Sequence, residues 1–133
     1  MNVQQAMTRG VVAVTPHQSA ATAVQRLCAW DVSGLPVVDC DRHLLGMLTE
    51  LDLIRALRDG ANLLHVTVGE VMSVRPLFVE PETSLQTAAD LLDEWQVRRL
   101  PVCEDGRLVG VLSRGDVLRA LAVATPVSAA SVR

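Results

Sequence analysis

Apolar positions in this chain alternate between two spacings, and the alternation occurs twice. Val11-Val12-Ala13-Val14 is a continuous apolar run of strand character that ends at Pro16. Ala20, Ala23, Val24, Leu27 and Trp30 then recur at helical spacing. Two short apolar runs follow, over residues 35–38 and 44–48, separated by the polar Asp39-Cys40-Asp41-Arg42-His43, and a closing helix is predicted over 49–57. The order then returns. Leu77-Phe78-Val79 ends at Pro81, and Leu85, Ala88, Ala89, Leu92 and Trp95 carry the helical spacing. Strands are predicted over 100–103 and 108–112 around an Asp105-Gly106 turn, with a last helix over 113–121. Proline ends the first strand of each copy because it has no N–H for a ladder. Thr83, with Gln86 three residues on, predicts a capping-box start for the second-copy helix. A helical turn, over 3–7 and again over 68–72, precedes each copy, so each reads β-α-β-β-α.

The two copies also match residue by residue. Met7-Thr8 returns as Met72-Ser73, Trp30 as Trp95 and Leu35-Pro36-Val37 as Leu100-Pro101-Val102, all at an offset of 65. After a one-residue deletion, Gly46-Met47-Leu48-Thr49 returns as Gly110-Val111-Leu112-Ser113, Asp52 as Asp116 and Arg55-Ala56-Leu57 as Arg119-Ala120-Leu121. Two copies are too few for a solenoid. They predict an α/β (α+β) fold of two half-domains about a pseudo-two-fold axis, with any ligand cleft between them. The expected divisions are a first repeat over 1–60, a second over 61–124 and a flexible tail over 125–133.

With 133 residues, half of them hydrophobic, the chain can form one compact domain or two halves that share a core. None of its apolar runs approaches the roughly 18 residues of a membrane span. No basic stretch leads into an apolar one at the N-terminus, so a secretory signal is not expected. Three cysteines without a CxxC motif fit a reducing, cytoplasmic setting. The net charge of −3 and the scarcity of aromatics argue against nucleic-acid binding. All 12 basic residues are arginine. Without lysine there is no Schiff-base chemistry and no P-loop.

The candidate chemistry lies in Gly46-x-x-Thr49-x-x-Asp52 and Gly110-x-x-Ser113-x-x-Asp116, each where a strand gives way to a helix. Free backbone N–H groups there attract anions, and a carboxylate one turn on can accept from a ribose diol. The same spacing is also that of a helix N-cap with a dipole-matched acid, and the residues alone admit both readings.

Taken together, Ala6-Met7-Thr8 and Val71-Met72-Ser73, Val32-Ser33-Gly34-Leu35-Pro36-Val37-Val38-Asp39 and Val97-Arg98-Arg99-Leu100-Pro101-Val102, and the two Gly-to-Asp segments make residues 3–121 resemble a tandem pair of CBS (cystathionine β-synthase type) domains, a Bateman module. The resemblance implies a regulatory module without catalysis that needs no cofactor. Such a module takes AMP, ADP, ATP or S-adenosylmethionine as a ligand between its repeats and signals to a separate effector protein. It also implies that each cleft draws on both repeats. One cleft would use Ser113 and Asp116 with Thr8, Ala13, Val32 and Ser33. The other would use Thr49, Asp52 and Met47 with Ser73, Phe78, Val97 and Arg98.

Arg99 and Arg114 are the further cations, since an arginine fork suits phosphate. They make the Asp116 cleft the expected phosphate site and the Asp52 cleft the weaker one. The other reading is of Arg98 and Arg99 as a solvated pair beside an edge strand.

The remaining candidates point to structure. His17, His43 and His65 lack ligand spacing, so no metal site is expected. Cys103 ends an apolar strand and reads as a small buried hydrophobe, while Cys40 lies in a turn with no partner motif. Trp30 and Trp95 read as core or dimer-face anchors before a ligand-stacking pair. The helical faces with Ala23, Leu27 and Trp30, or Ala88, Leu92 and Trp95, are the expected homodimer surfaces, in a parallel or an antiparallel pairing. No nucleophile–base pair or phosphate loop points to an enzyme. The alternative to ligand sensing is a ligand-free dimeric scaffold.

Overall fold

The structure, a computed structural model, describes residues 1–125 and 127; the rest of the expected tail lies outside the described residues. The elements run α1 (Val3–Ala6), α2 (Ala20–Trp30), β1 (Gly34–Val38), β2 (Leu44–Thr49), α3 (Glu50–Arg58), α4 (Val68–Val71), β3 (Ser73–Val74), α5 (Leu85–Glu94), β4 (Arg99–Glu104), β5 (Arg107–Ser113) and α6 (Arg114–Ala124). Antiparallel β1, β2 and β3 form one sheet and antiparallel β4 and β5 a second. The two hairpins meet at their turns. Leu44 N–H donates to the Gly106 carbonyl at 3.1 Å and Leu108 N–H to the Arg42 carbonyl at 2.9 Å, and Val38, Cys103 and Leu108 are buried together there.

Two cores lie behind the sheets. Val14, Ala20, Ala23, Leu27, Leu35, Val37, Leu48, Leu53 and Val68 fill the first half. Val3, Val79, Leu85, Ala88, Leu92, Leu100, Val102, Leu112 and Val117 fill the second. Each fully buried leucine contributes about 1.5–3 kcal/mol. Val3 and Val68 each lie in the half to which their own repeat does not belong. The opening helices are exchanged: Val3 N–H donates to the Thr83 carbonyl and Val68 N–H to the Gln18 carbonyl, both at 2.8 Å.

The runs expected as first strands, 11–14 and 77–79, are each reduced to one parallel bridge, Val14 to Val37 and Val79 to Val102. Proline sets this limit on both sides. Val14 N–H donates to the Pro36 carbonyl and Val38 N–H to the Val14 carbonyl. The next bond upstream would need an N–H on Pro36 and the next downstream one on Pro16, and neither residue has it. Pro101 and Pro81 act likewise around Val79.

Two further expectations are corrected. The N-cap of α5 is Ser84, whose side chain accepts from Thr87 N–H; Thr83 instead accepts from Glu80 N–H at 3.1 Å in the preceding turn. Ala23, Leu27, Ala88 and Leu92 are buried within their own halves and offer no dimer face, whereas Trp30 and Trp95 are 61% and 60% exposed and belong to neither core. The exposed apolar stripes lie instead on α3, with Leu51, Ile54 and Leu57, and on α6, with Leu118 and Leu121.

Candidate functional site

Thr49 and Ser113 are helix N-caps. Each caps its helix: the Thr49 hydroxyl accepts from Asp52 N–H, and the Asp52 carboxylate accepts from Thr49 N–H at 2.9 Å. Ser113 and Asp116 repeat this box with the same 2.9 Å bond. The hydroxyl of the opposite repeat then reaches each acid. Ser73 Oγ donates to Asp52 Oδ1 at 3.2 Å, and Thr8 Oγ1 donates to Asp116 at 3.2 and 3.3 Å. Each carboxylate therefore stands where the two repeats cross.

The motif glycines explain how that crossing is made. A Cβ on Gly46 would lie 2.6 Å from the Ser73 carbonyl oxygen, and one on Gly110 would lie 2.9 Å from that of Thr8. Only glycine lets the Met-Ser and Met-Thr segments lie directly over the second strand of each hairpin.

A cavity of about 770 Å³ opens on the Asp52 side. Among the residues expected there, Met47, Thr49, Ser73, Phe78, Val97 and Arg98 line it. Ser33 and Arg99, assigned from the resemblance to the Asp116 cleft, line this same cavity, and Arg99 Nη2 donates to Ser33 Oγ at 3.3 Å. Arg99 also lies close enough to Asp116 and Glu50 to feel the charge of both. Its half-buried guanidinium is held below its ordinary pKa by desolvation first and by neighbouring Arg98 second; Asp116 and Glu50 oppose both. Its buried Nε has no hydrogen-bond partner among the described residues.

Arg75 was not among the expected site residues. It lines the cavity with Arg98 and Arg99, which among the described residues makes three cations against one acid, Glu50. Arg75 holds a left-handed φ of +52° where the first repeat has Gly10 at +67°. Comparing those two positions would have exposed the cation. Trp95 and Gln96 also line the cavity, which brings Trp95 to the site after all.

The Asp116 side differs. Asp116 is only 5% exposed, and Arg119 Nη2 donates to its Oδ1 at 2.6 Å. The Ala13 carbonyl accepts from Arg26 Nη1 at 2.6 Å. Arg114 turns back, its Nε donating to the Val97 carbonyl at 3.1 Å. Val32 packs against the first core.

The CBS domain family matches residues 3–59 and again 68–123. The chain belongs to the CBS domain family. Its tandem CBS domains form a CBS pair, or Bateman module. Hypoxic response protein 1 of Mycobacterium tuberculosis is 34% identical over 116 residues, spanning 86% of this chain and 81% of that protein. A crystal structure of Hypoxic Response Protein I with two coordinated zinc ions superposes with a TM-score of 0.82 at 32% identity, covering 90% of this chain and 98% of the other. CBSX2 of Arabidopsis thaliana is 33% identical over 135 residues, spanning 80% of this chain and 57% of that protein. The crystal structure of CBSX2 in complex with AMP gives a TM-score of 0.81 at 36% identity, covering 93% of this CBS pair and 98% of that chain.

Asp39, Asp41 and His43, in the turn between the CBS pair's first two strands, bring ligand atoms within 4.8 Å of one another. The three histidines share no ligand spacing with one another; the grouping comes from the acids beside His43. The Asp39 carboxyl lies below its ordinary value, chiefly because it accepts from His43 N–H. No helix of the described residues is long and apolar enough to cross a membrane.

Proposed function

We propose that this CBS pair is a non-catalytic regulatory module that binds an adenosine-containing ligand, AMP, ADP, ATP or S-adenosylmethionine, in the Asp52-side cavity and signals to a separate effector protein. One observation carries the reading. The Thr49 and Ser73 hydroxyls and three arginines line a single cavity with apolar Leu77, Phe78 and Val97, and the Asp52 carboxylate stands beside it, bonded to Thr49 and Ser73. A ribose diol would donate to Asp52, a base would lie against Phe78 and Val97, and phosphate would face Arg75, Arg98 and Arg99. Arg99 lines the cavity with Arg75 and Arg98, and a guanidinium fork suits a phosphate oxygen. The AMP in the CBSX2 complex supports AMP as the first ligand to try. The exposed apolar stripes of α3 and α6 support a homodimer formed through them.

The test is equilibrium dialysis of the purified protein against AMP, ADP, ATP and S-adenosylmethionine, with Asp52→Asn alongside. Binding of at least one ligand, lost in Asp52→Asn, is the expected result. No binding by nucleotide-free protein would favour the alternative, a dimeric scaffold. The internally bonded polar groups around Asp116 favour that alternative for that cleft.

A further inference from the structure

We propose that the Asp116 cleft is held closed to an adenosine ligand by two of the chain's own arginines, Arg119 and Arg26, so that each chain takes one ligand. The count of one rests on the function proposed above; the closure does not. Arg119 Nη2 lies 2.6 Å from Asp116 Oδ1, in the place a ribose hydroxyl would need. With Ser113 N–H and the Thr8 hydroxyl, it brings three donors onto a carboxylate that is nearly buried. On the base side, Arg26 Nη1 takes the Ala13 carbonyl at 2.6 Å and Gln18 Oε1 at 3.3 Å.

The opposite half lacks both contacts. Asp52 accepts from Thr49 N–H and the Ser73 hydroxyl, and Arg55, the counterpart of Arg119, takes part in none of the three ion pairs among the described residues. The counterpart of Arg26 is Leu91, which has no side-chain donor. A carboxylate has room for about four acceptor contacts, so Asp52 keeps capacity for a diol and Asp116, with a charged donor already in place, does not. The Arg119 side chain is 73% exposed. It is therefore a tethered competitor that solvent and ligand can reach, not a packed wall.

The experiment is the AMP stoichiometry of the full chain by equilibrium dialysis. It compares wild type with Arg119→Ala, with Arg119→Ala combined with Arg26→Leu, and with that double variant carrying Asp116→Asn. Arg26→Leu installs the residue that the second repeat already has. The exposure of Arg119 makes the single variant the one that keeps its fold, checked by thermal unfolding. The expected result is one AMP per chain in wild type and a gain of one in the arginine variants, lost again with Asp116→Asn. Two AMP per wild-type chain, or no gain in folded variants, overturns the closure. A wild type that binds no AMP, with variants that gain one site, overturns the reading of the Asp52 cavity and leaves the closure standing.

Discussion

Thr8 and Asp116 are 108 residues apart in the chain, and the hydroxyl of the first donates to the carboxylate of the second at 3.2 Å. Ser73 and Asp52 repeat the contact on the other side of the pseudo-two-fold axis. Each bond ties the opening of one repeat to the closing helix of the other. Thr8→Val removes the donor and keeps the shape, and should lower stability by about 1 kcal/mol, because Asp116 retains Ser113 and Arg119. Urea denaturation measures it; an unchanged midpoint would mean the bond adds nothing.

Gly46→Ala should cost more. The new Cβ would lie 2.6 Å from a backbone oxygen of Ser73 and 2.9 Å from Met72 Sδ, and the backbone cannot step aside as a side chain could. Overpacking of this kind costs about 1–3 kcal/mol. Gly10→Ala meets nothing within 4 Å and carries only the left-handed backbone penalty of about 1–2 kcal/mol. Comparing the two variants in the same denaturation series separates crowding from backbone conformation.

Burial pushes the Cys103 thiol up to about 11, while Cys28 and Cys40 are exposed. Iodoacetamide at pH 8 should therefore label two of the three cysteines of the native chain, and all three in urea, as read by intact mass. The same shift bears on stability. The unfolded thiol ionises near its ordinary 9.0 and the folded one does so later, so the folded state loses ground as pH rises from 9.0 towards 11.

Arg99→Gln should separate phosphate recognition from nucleoside recognition. A charge-assisted bond is worth about 1.5–3 kcal/mol, so AMP affinity should fall roughly 10- to 100-fold while adenosine affinity stays the same. Calorimetric titration with both ligands decides this. An equal loss for the two would make Arg99 a structural support for Ser33.

Light scattering should give the protein about twice its 14.3 kDa chain mass, and Ile54→Glu with Leu121→Glu should return it to a monomer with the same circular dichroism. A wild-type monomer would leave the apolar stripes of α3 and α6 without a copy of this chain to cover them.

Much of this was legible in the residues. The repeat offset gave the pseudo-symmetry, and the Gly-to-Asp spacing marked both carboxylates. The pairing of Thr8 with Asp116 and of Ser73 with Asp52 followed from the family resemblance. Other features were not, for definite reasons. A helical turn is legible over 3–7 and 68–72, but nothing in its residues says that Val3 and Val68 enter the core of the opposite half. Trp30 and Trp95 continue the apolar stripe, yet each stands at the last turn of its helix, beyond the core's reach. The strand character of residues 11–14 is real, but the prolines that limit its ladder include one on the neighbouring strand. Arg75 carries no motif of its own, because the matching position in the first repeat is Gly10, and only the fold brings it beside Arg98 and Arg99.

The exchanged opening helices have a consequence for how such a chain arises and how it fails. A single repeat lacks the valine that completes its core and carries one that fits only a neighbour. On its own it would have to pair with a second copy and trade helices with it. Tandem duplication turns that trade into an event within one molecule, where the effective concentration of the missing piece no longer depends on dilution. A cut between residues 60 and 61 should therefore yield two fragments that fold only when mixed, and the intact chain should unfold in one step.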